Sequence, residues 1–373
     1  MVPDLAFPKR LDKLYGTLAE AVHDDCEFRS RCLDKASVGV GLNIREASSI
    51  LTAPDDWDDR IADAAAKVNA ARNGRHITFY GVVYIHDACI NECVYCGDSR
   101  RILFKRRILS KDELLRDVRA LIERHDFREI CFLMGEAPTQ FTTEDLVGYL
   151  QAVAEIYRGK IVLNISPLSV EGFARIRQAL PDNILQFRVF QETYDPDIYK
   201  ETHLAGPKVD MYARIDSQQR ALDAGFDEVG HGVLYGLNAK TLGAEFDTIA
   251  VLTHAFHLKS MYGKWSRTMS FPRIQPIPDA RHEIPNSVSD SRLARCIATV
   301  KLTVPGIETI ITCRETAELR RTLRPMINIE DYAARPGPGG NSMPEVHMQM
   351  LLPDMRSGDE IKREMINDGY IVD

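Results

Sequence analysis

The sequence predicts an α/β fold: a (β/α)8, TIM-like barrel of parallel strands behind an N-terminal helical extension. Three observations lead there. From Ile77 onward, short β-rich runs alternate with amphipathic helical stretches, and strands separated by helices argue for a parallel sheet rather than hairpins. Before that point, residues 1–74 are charged and helically patterned, with no alternating run. Finally, 373 residues that are 45% hydrophobic and 27% charged are enough for one barrel with a large core and an added segment.

Taken in order, the expected strands are 77–85, 128–134, 160–166, 184–190, 227–234, 268–275 and 307–312, with an eighth near 345–350. The helices fall between them. Ser110 to Glu113 reads as a capping box opening the first, and Thr142 and Ser169 read as caps of the next two. The segment 209–224 ends at Gly225, a helix-terminating residue. One Pro/Gly-rich stretch, Arg335 to Pro344, is expected as a loop before the last strand, where loops of barrels carry function. The expected division is a helical extension over 1–74 and a barrel over 75–373, without an internal repeat.

Charge and apolarity narrow the partners. A formal net charge of -7 gives no global basic field, so no nucleic-acid partner is expected. No run is long and apolar enough for a membrane helix, and Met1 to Arg10 lacks the apolar core of a secretory signal. The expectation is a cytoplasmic protein with no membrane association. Of eight cysteines, three crowd into Cys89 to Cys96, which in a reducing compartment points to metal or redox chemistry, not disulfides.

These three follow the first expected strand directly, as Cys89-x3-Cys93-x2-Cys96. Three thiolates suit a four-iron cluster that leaves one iron without a protein ligand. Such an open iron can be chelated by the amine and carboxylate of S-adenosylmethionine (SAM). A zinc site is the competing reading. It usually needs four ligands in paired spacings, and no partner pair is evident downstream. Cys26, Cys32, Cys131, Cys296 and Cys313 have no comparable pattern and read as core or inert thiols.

The triad, with Tyr95 just before its last cysteine, resembles the signature of the radical SAM superfamily. That resemblance implies one [4Fe-4S] cluster held by Cys89, Cys93 and Cys96, with Tyr95 near the adenine of SAM. Gly135 and Glu136, in Met134-Gly135-Glu136-Ala137-Pro138, resemble the glycine-rich turn that approaches SAM's amino group. Further motifs are similar to one branch, the aromatic amino acid lyases: the tyrosine lyases of thiamine biosynthesis and hydrogenase maturation, and the tryptophan lyase of nosiheptide biosynthesis. They are Phe190-Gln191-Glu192-Thr193-Tyr194, Gly206-Pro207-Lys208 with Arg214, Ser270-Phe271-Pro272-Arg273, Thr312-Cys313-Arg314-Glu315 and Asp354-x-Arg356-Ser357. The match spans roughly 75 to 371 and is closest to the hydrogenase-maturation tyrosine lyase.

The resemblance implies roles. Glu192 and Gln191 accept or donate hydrogen bonds to SAM; alternation turns only one inward, and Glu192 is preferred. Arg214 pairs with SAM's carboxylate, unless it is a solvated helix arginine. Asn164 lines the barrel mouth. Arg314 anchors the substrate carboxylate, unless it pairs with Glu315. Tyr84 lies near the substrate, unless it is only a strand residue. Two departures qualify the match. The cysteine-rich C-terminal extension of the hydrogenase-maturation enzyme, which binds a second cluster, is expected to be missing after Val372-Asp373. The serine-lined substrate loop is replaced by Glu330-Asp331-Tyr332-Ala333-Ala334-Arg335, expected to bring Asp331 and Arg335 into the pocket. The expected protein is a radical SAM lyase that removes hydrogen from a free, aromatic amino acid and breaks a C–C bond near Cα. Its expected electron donor is a flavodoxin or ferredoxin. A mutase acting on another amino acid and a zinc-stabilised binding module are the alternatives.

Overall fold

In the computed structural model, residues 11, 13–278, 288–333 and 335–373 are described; the helical expectation for Met1 to Arg10 lies outside them. Eight parallel strands close on themselves. β1 is His76–His86, β2 Glu129–Met134, β3 Lys160–Asn164, β4 Leu185–Glu192, β5 Glu228–Val233, β6 Thr268–Ser270, β7 Glu308–Ile311 and β8 Ile329–Asp331. They pair in chain order, and β8 closes on β1 through Thr78 opposite Ile329 and Tyr80 opposite Asp331. A two-residue β9, Ile371–Val372, adds to β1 at His76 and Ile77, outside the closed ring.

The helix-start signals work as local chemistry requires. Ser110 and Thr142 each accept a backbone N–H three residues on and are answered by Glu113 and Asp145, two reciprocal capping boxes. Ser169 caps its helix through Gly172 N. The stretch 209–224 breaks into two short helices, Met211–Ile215 and Ser217–Asp223, before Gly225 at φ +90°.

The eighth strand is a correction. It is Ile329–Asp331, and 345–350 is irregular chain laid over the barrel mouth. Two carboxylates in a three-residue strand hide its character. Glu330 is nevertheless fully buried, because Arg320 and Arg324 meet it at 2.9 Å each; paired ions are the ones an interior tolerates.

The barrel interior is layered by strand alternation. Tyr80, Cys131, Val162, Ile310 and Ile329 form one packed group low in the barrel. Arg188 and Phe190 lean from β4 towards β5, which answers with Gly230 and Gly232: a Cβ at either would collide with those side chains or with Thr268. The strand ends beyond this plug, on the carboxyl side, carry the site. On the outside, the helices Ile44–Leu51 and Asp58–Asn73 pack against Gly243–Tyr262 and Asp290–Thr303 and share one apolar cluster with them, including Leu51, Ile61, Ile249 and Ile297.

Candidate active site

β1 runs out at His86, and the next ten residues wrap across the barrel mouth. Neighbouring elements pin this loop through its backbone: Ile90 N donates to Glu136 O at 2.8 Å, Val94 N to Thr202 O at 3.1 Å, and Gly97 N to Gln349 O at 3.0 Å. The result turns Cys89, Cys93 and Cys96 into one cavity of about 150 Å³ open to centres of water-sized spheres.

The donor set fits an iron–sulfur cluster. Burial pushes the thiols of Cys93 and Cys96 above the ordinary cysteine range, so both are protonated until a cation compensates, and a coordinating metal deprotonates its thiols outright. Among the described residues no three His, Cys, Asp or Glu side chains converge as a single-ion site would; a four-iron cluster is wider and takes its thiolates further apart. Two amides face the sulfurs: Gln349 Nε2 lies 3.3 Å from Cys96 Sγ, and Asn91 Nδ2 3.7 Å from Cys89 Sγ. Gly135 is the cradle beside them, since a Cβ there would run into the carbonyl oxygen of Ala88 and touch Cys89.

Across the cavity stand the groups expected to meet SAM. Glu192 closes β4 with φ +72° and a register shift against β5. This left-handed backbone, strained for a side chain other than glycine, ends the strand beneath the cavity that the carboxylate lines. Lys208 Nζ reaches Glu192 Oε1 at 2.7 Å, the carboxylate buried and the lysine partly so. Lys208 and Arg214 hold the Glu192 carboxyl below the usual range against the opposing effect of burial. Arg214 is buried, not solvated; its Nε donates to Phe190 O at 2.6 Å while its side chain lines the cavity. Tyr95 lines the same wall, its hydroxyl 2.8 Å from His203 Nε2. Glu136 takes a 2.7 Å hydrogen bond from Asn91, and Asn164 lies at the end of β3. Gln191 is the correction: its amide faces Met211 O at 3.5 Å, away from the cavity that Phe190 and Glu192 line. The bulged strand keeps period two and sends the residue between them outward.

Arg314 lies at the end of β7, half-buried and lining the cavity. Its neighbour Glu315 is taken by Arg273, with Nε to Oε2 at 2.8 Å. Among the described residues the Arg314 guanidinium makes no ion pair. Tyr84 lies beside it, buried, its hydroxyl 3.5 Å from Gln349 Oε1. The rewritten loop departs from expectation at Arg335, not at Asp331. Asp331 does face the barrel interior, but it accepts Cys313 N at 2.9 Å and meets Arg320 at 3.3 Å. Arg335 is exposed and donates to Met343 O and Pro344 O, so it adds no charge to the pocket.

Sequence reasoning passed over Lys208, Asn91, Gln275 and Gln349, all of which line the cavity. Lys208 had a signal in the Gly206-Pro207-Lys208 turn. Gly206, at φ +89°, is packed so closely on Asn91 and Ile90 that a Cβ would not fit. Gln349 had none, because its placement depends on a loop crossing from the far side of the barrel.

Three thiols at the mouth of a parallel barrel, one buried and two half-buried, facing an acid–base pair and an arginine across one cavity, define an iron–sulfur barrel enzyme. Comparison with known proteins makes the class specific. Residues 83–249 match the radical SAM superfamily, and residues 270–371 match the biotin and thiamin synthesis associated domain. The chain belongs to the radical SAM superfamily and is a radical SAM enzyme, with the family's [4Fe-4S] cluster and SAM as its cofactors. It is similar to the 2-iminoacetate synthase of Salmonella typhimurium (strain LT2), 27% identical over 88% of this chain and 87% of that one. Among solved structures it resembles HydG, a maturase of the [FeFe]-hydrogenase, at TM-score 0.89 and 27% identity, covering 97% of this chain and 79% of that one. It resembles HydG from Carboxydothermus hydrogenoformans at TM-score 0.87 and 28% identity, over 98% and 84%. These likenesses place it in the branch that its motifs resembled, the amino acid lyases. No helix among the described residues is long and apolar enough to cross a membrane.

Proposed function

We propose that the chain cleaves a free α-amino acid, of aromatic side chain, at a C–C bond near Cα. The observation that carries this is the Arg314 guanidinium, left without an ion pair among the described residues while Arg273 occupies Glu315. A planar fork of donors facing a cavity suits a carboxylate held in two-point contact. The cluster and SAM supply a reductively generated radical able to remove a hydrogen atom. The chain's own residues bind and orient. Glu192, Lys208, Arg214 and Glu136 offer charges for the amine, carboxylate and ribose of SAM, and Tyr95 a ring for its adenine. Arg314 fixes the amino acid against Tyr84, so that one hydrogen faces the reacting centre. Reduced flavodoxin or ferredoxin supplies the electron, and the enzyme works in the reducing cytoplasm, where a thiolate-held cluster and free thiols persist.

Anaerobic reconstituted enzyme tests this with deuterated amino acids, SAM and a reductant. The expected outcome is deuterium in 5′-deoxyadenosine and a fragment shorter than the parent amino acid by mass spectrometry. Arg314→Lys should cut product by about tenfold to a hundredfold, the value of a charged hydrogen-bond pair, while uncoupled SAM cleavage continues. Product at the parent rate removes the anchor. A product of unchanged mass assigns rearrangement instead, and no deuterium from any free amino acid removes the substrate class.

A further inference from the structure

The segment 335–352 follows β8 and crosses the barrel mouth, and within it Gln349 meets the cysteine loop by backbone and side chain together. Its carbonyl accepts Gly97 N at 3.0 Å, its own N–H donates to Pro336 O at 2.9 Å, and Leu351 N donates to Pro276 O at 2.8 Å. Position 97 has to be glycine for this approach, since a Cβ there would run into the Gln349 carbonyl. Backbone bonds therefore seat the segment on the cysteine loop without help from the Gln349 side chain.

That side chain is half-buried and engages both of its ends. Nε2 lies 2.9 Å from Asp98 Oδ2 and 3.3 Å from Cys96 Sγ, and Oε1 is 3.5 Å from the Tyr84 hydroxyl. An amide offers two donors at nitrogen and acceptor sites at oxygen, and its partners decide which end points where. Turned over, it would set its oxygen against a carboxylate and a sulfur, both acceptors. The nitrogen end therefore belongs to Cys96. An amide is not needed there to hold the segment, yet its donors converge on a sulfur that faces the cavity.

We propose that Gln349 sets the reduction potential of the cluster by donating an N–H to the Cys96 thiolate. Cluster potentials respond to hydrogen bonds on the sulfurs. An added electron makes a thiolate a stronger acceptor, so the bond stabilises the reduced form more than the oxidised one and raises the potential. Partial exclusion of water strengthens the effect. Gln349 acts through Cys96 and not on the reactants. Its segment also supplies Met350 to the cavity wall that Tyr84 and Arg314 share, so the cluster is easier to reduce when the chain that closes the cavity is seated. The inference rests on the reading of Cys96 as a cluster ligand.

Gln349→Met keeps the length of the side chain and removes both donors. The test is a redox titration of reconstituted, SAM-free protein, followed by the electron paramagnetic resonance of the reduced cluster. The variant should hold the parent's iron and show a midpoint lower by about 20–60 mV, the one-electron equivalent of a two- to tenfold change for one net hydrogen bond. Leu351→Ala, an exposed position on the same segment, keeps the amide and should leave the midpoint in place. In the parent, glutamine carrying heavy nitrogen in its side chain should show hyperfine coupling to the reduced cluster; if Gln349→Met fails to hold iron, this measurement decides alone. A midpoint unmoved in Gln349→Met, an equal shift in Leu351→Ala, or no coupling to labelled glutamine overturns the role of Gln349 and leaves Cys96 as a ligand. A parent that binds no iron removes the ligand reading, and the role of Gln349 falls with it.

Discussion

At the scale of residues, the site is a set of groups made uncomfortable by burial and made useful by what they await. Cys93 and Cys96 sit where a thiolate is disfavoured, so iron binding is coupled to proton release. Reconstituted protein should carry about four irons per chain, the content of one such cluster; Cys89, Cys93 and Cys96 replaced together by alanine should carry almost none by iron and sulfide analysis. Glu192 calls for a subtler change. Its partner Lys208 lies partly buried beside it at 2.7 Å, so Glu192→Ala would leave a poorly solvated ammonium unpaired and blur binding with folding. Glu192→Gln keeps an acceptor and removes the charge. It should weaken SAM binding roughly tenfold or more by equilibrium dialysis, with a smaller loss of melting temperature than the alanine variant shows.

At the scale of elements, the strands fit each other by volume. The glycines of β5 leave room for the side chains of β4, and that fit shapes the cavity: Phe190 lines it while Gly232 stands directly behind its ring. Gly232→Ala should push the Phe190 ring into the cavity. The expected destabilisation is about 1–3 kcal/mol, typical of overpacking, together with a substrate dissociation constant raised more than that for SAM. Calorimetry and two binding titrations separate these effects. β8 illustrates a different kind of fit. Its Glu330 is acceptable inside only because Arg320 and Arg324 come from the preceding helical segment, so strand and segment depend on each other.

At the scale of the whole molecule, the N-terminal helices and the barrel helices are joined by one apolar cluster, and buried polar groups lie between them and the strands. Lys301, on the helix Asp290–Thr303, is fully buried; its amine donates to Ile307 O at 2.7 Å and to Asn328 Oδ1 at 2.5 Å. Burial lowers its pKa to about 7. In the unfolded chain the amine keeps its proton to about pH 10.4. Between those values the unfolded state binds more protons, so this group makes stability rise with pH by about 1.4 kcal/mol per unit, and below pH 7 its penalty is constant. Urea titrations from pH 7 to about pH 8, below the usual cysteine range, should show the stability of the parent rising by about 1 kcal/mol more than that of Lys301→Met over that unit.

The cluster loop was legible because its chemistry is local: three thiolates must reach one group from consecutive turns, so Cys89, Cys93 and Cys96 carry their purpose in their spacing. The capping box at Ser110 and the cap at Thr142 were legible for the same reason, since each closes within four residues; that Asp145 answers Thr142 as a second box was seen only in the structure. Seven strands announced themselves by β-rich runs, each short enough to read alone. What depended on distant partners was not legible. The three-residue β8 looks polar until Arg320 and Arg324 neutralise it, and 345–350 looks like a strand until the barrel closes without it. Sequence order sets Arg335 near Asp331 and so predicts it in the pocket; the folded chain leaves it in solvent. Gln191 and Glu192 were separable only in part, because alternation says that one faces in, while a bulge and a left-handed residue decide how. Arg314 was a candidate anchor in the sequence, but its availability was settled by Arg273 claiming Glu315. Short-range spacing encodes which groups a chain can offer a cofactor; which of them remain unpaired is decided by ion pairs and packing between segments far apart in sequence, and those form only when the barrel closes.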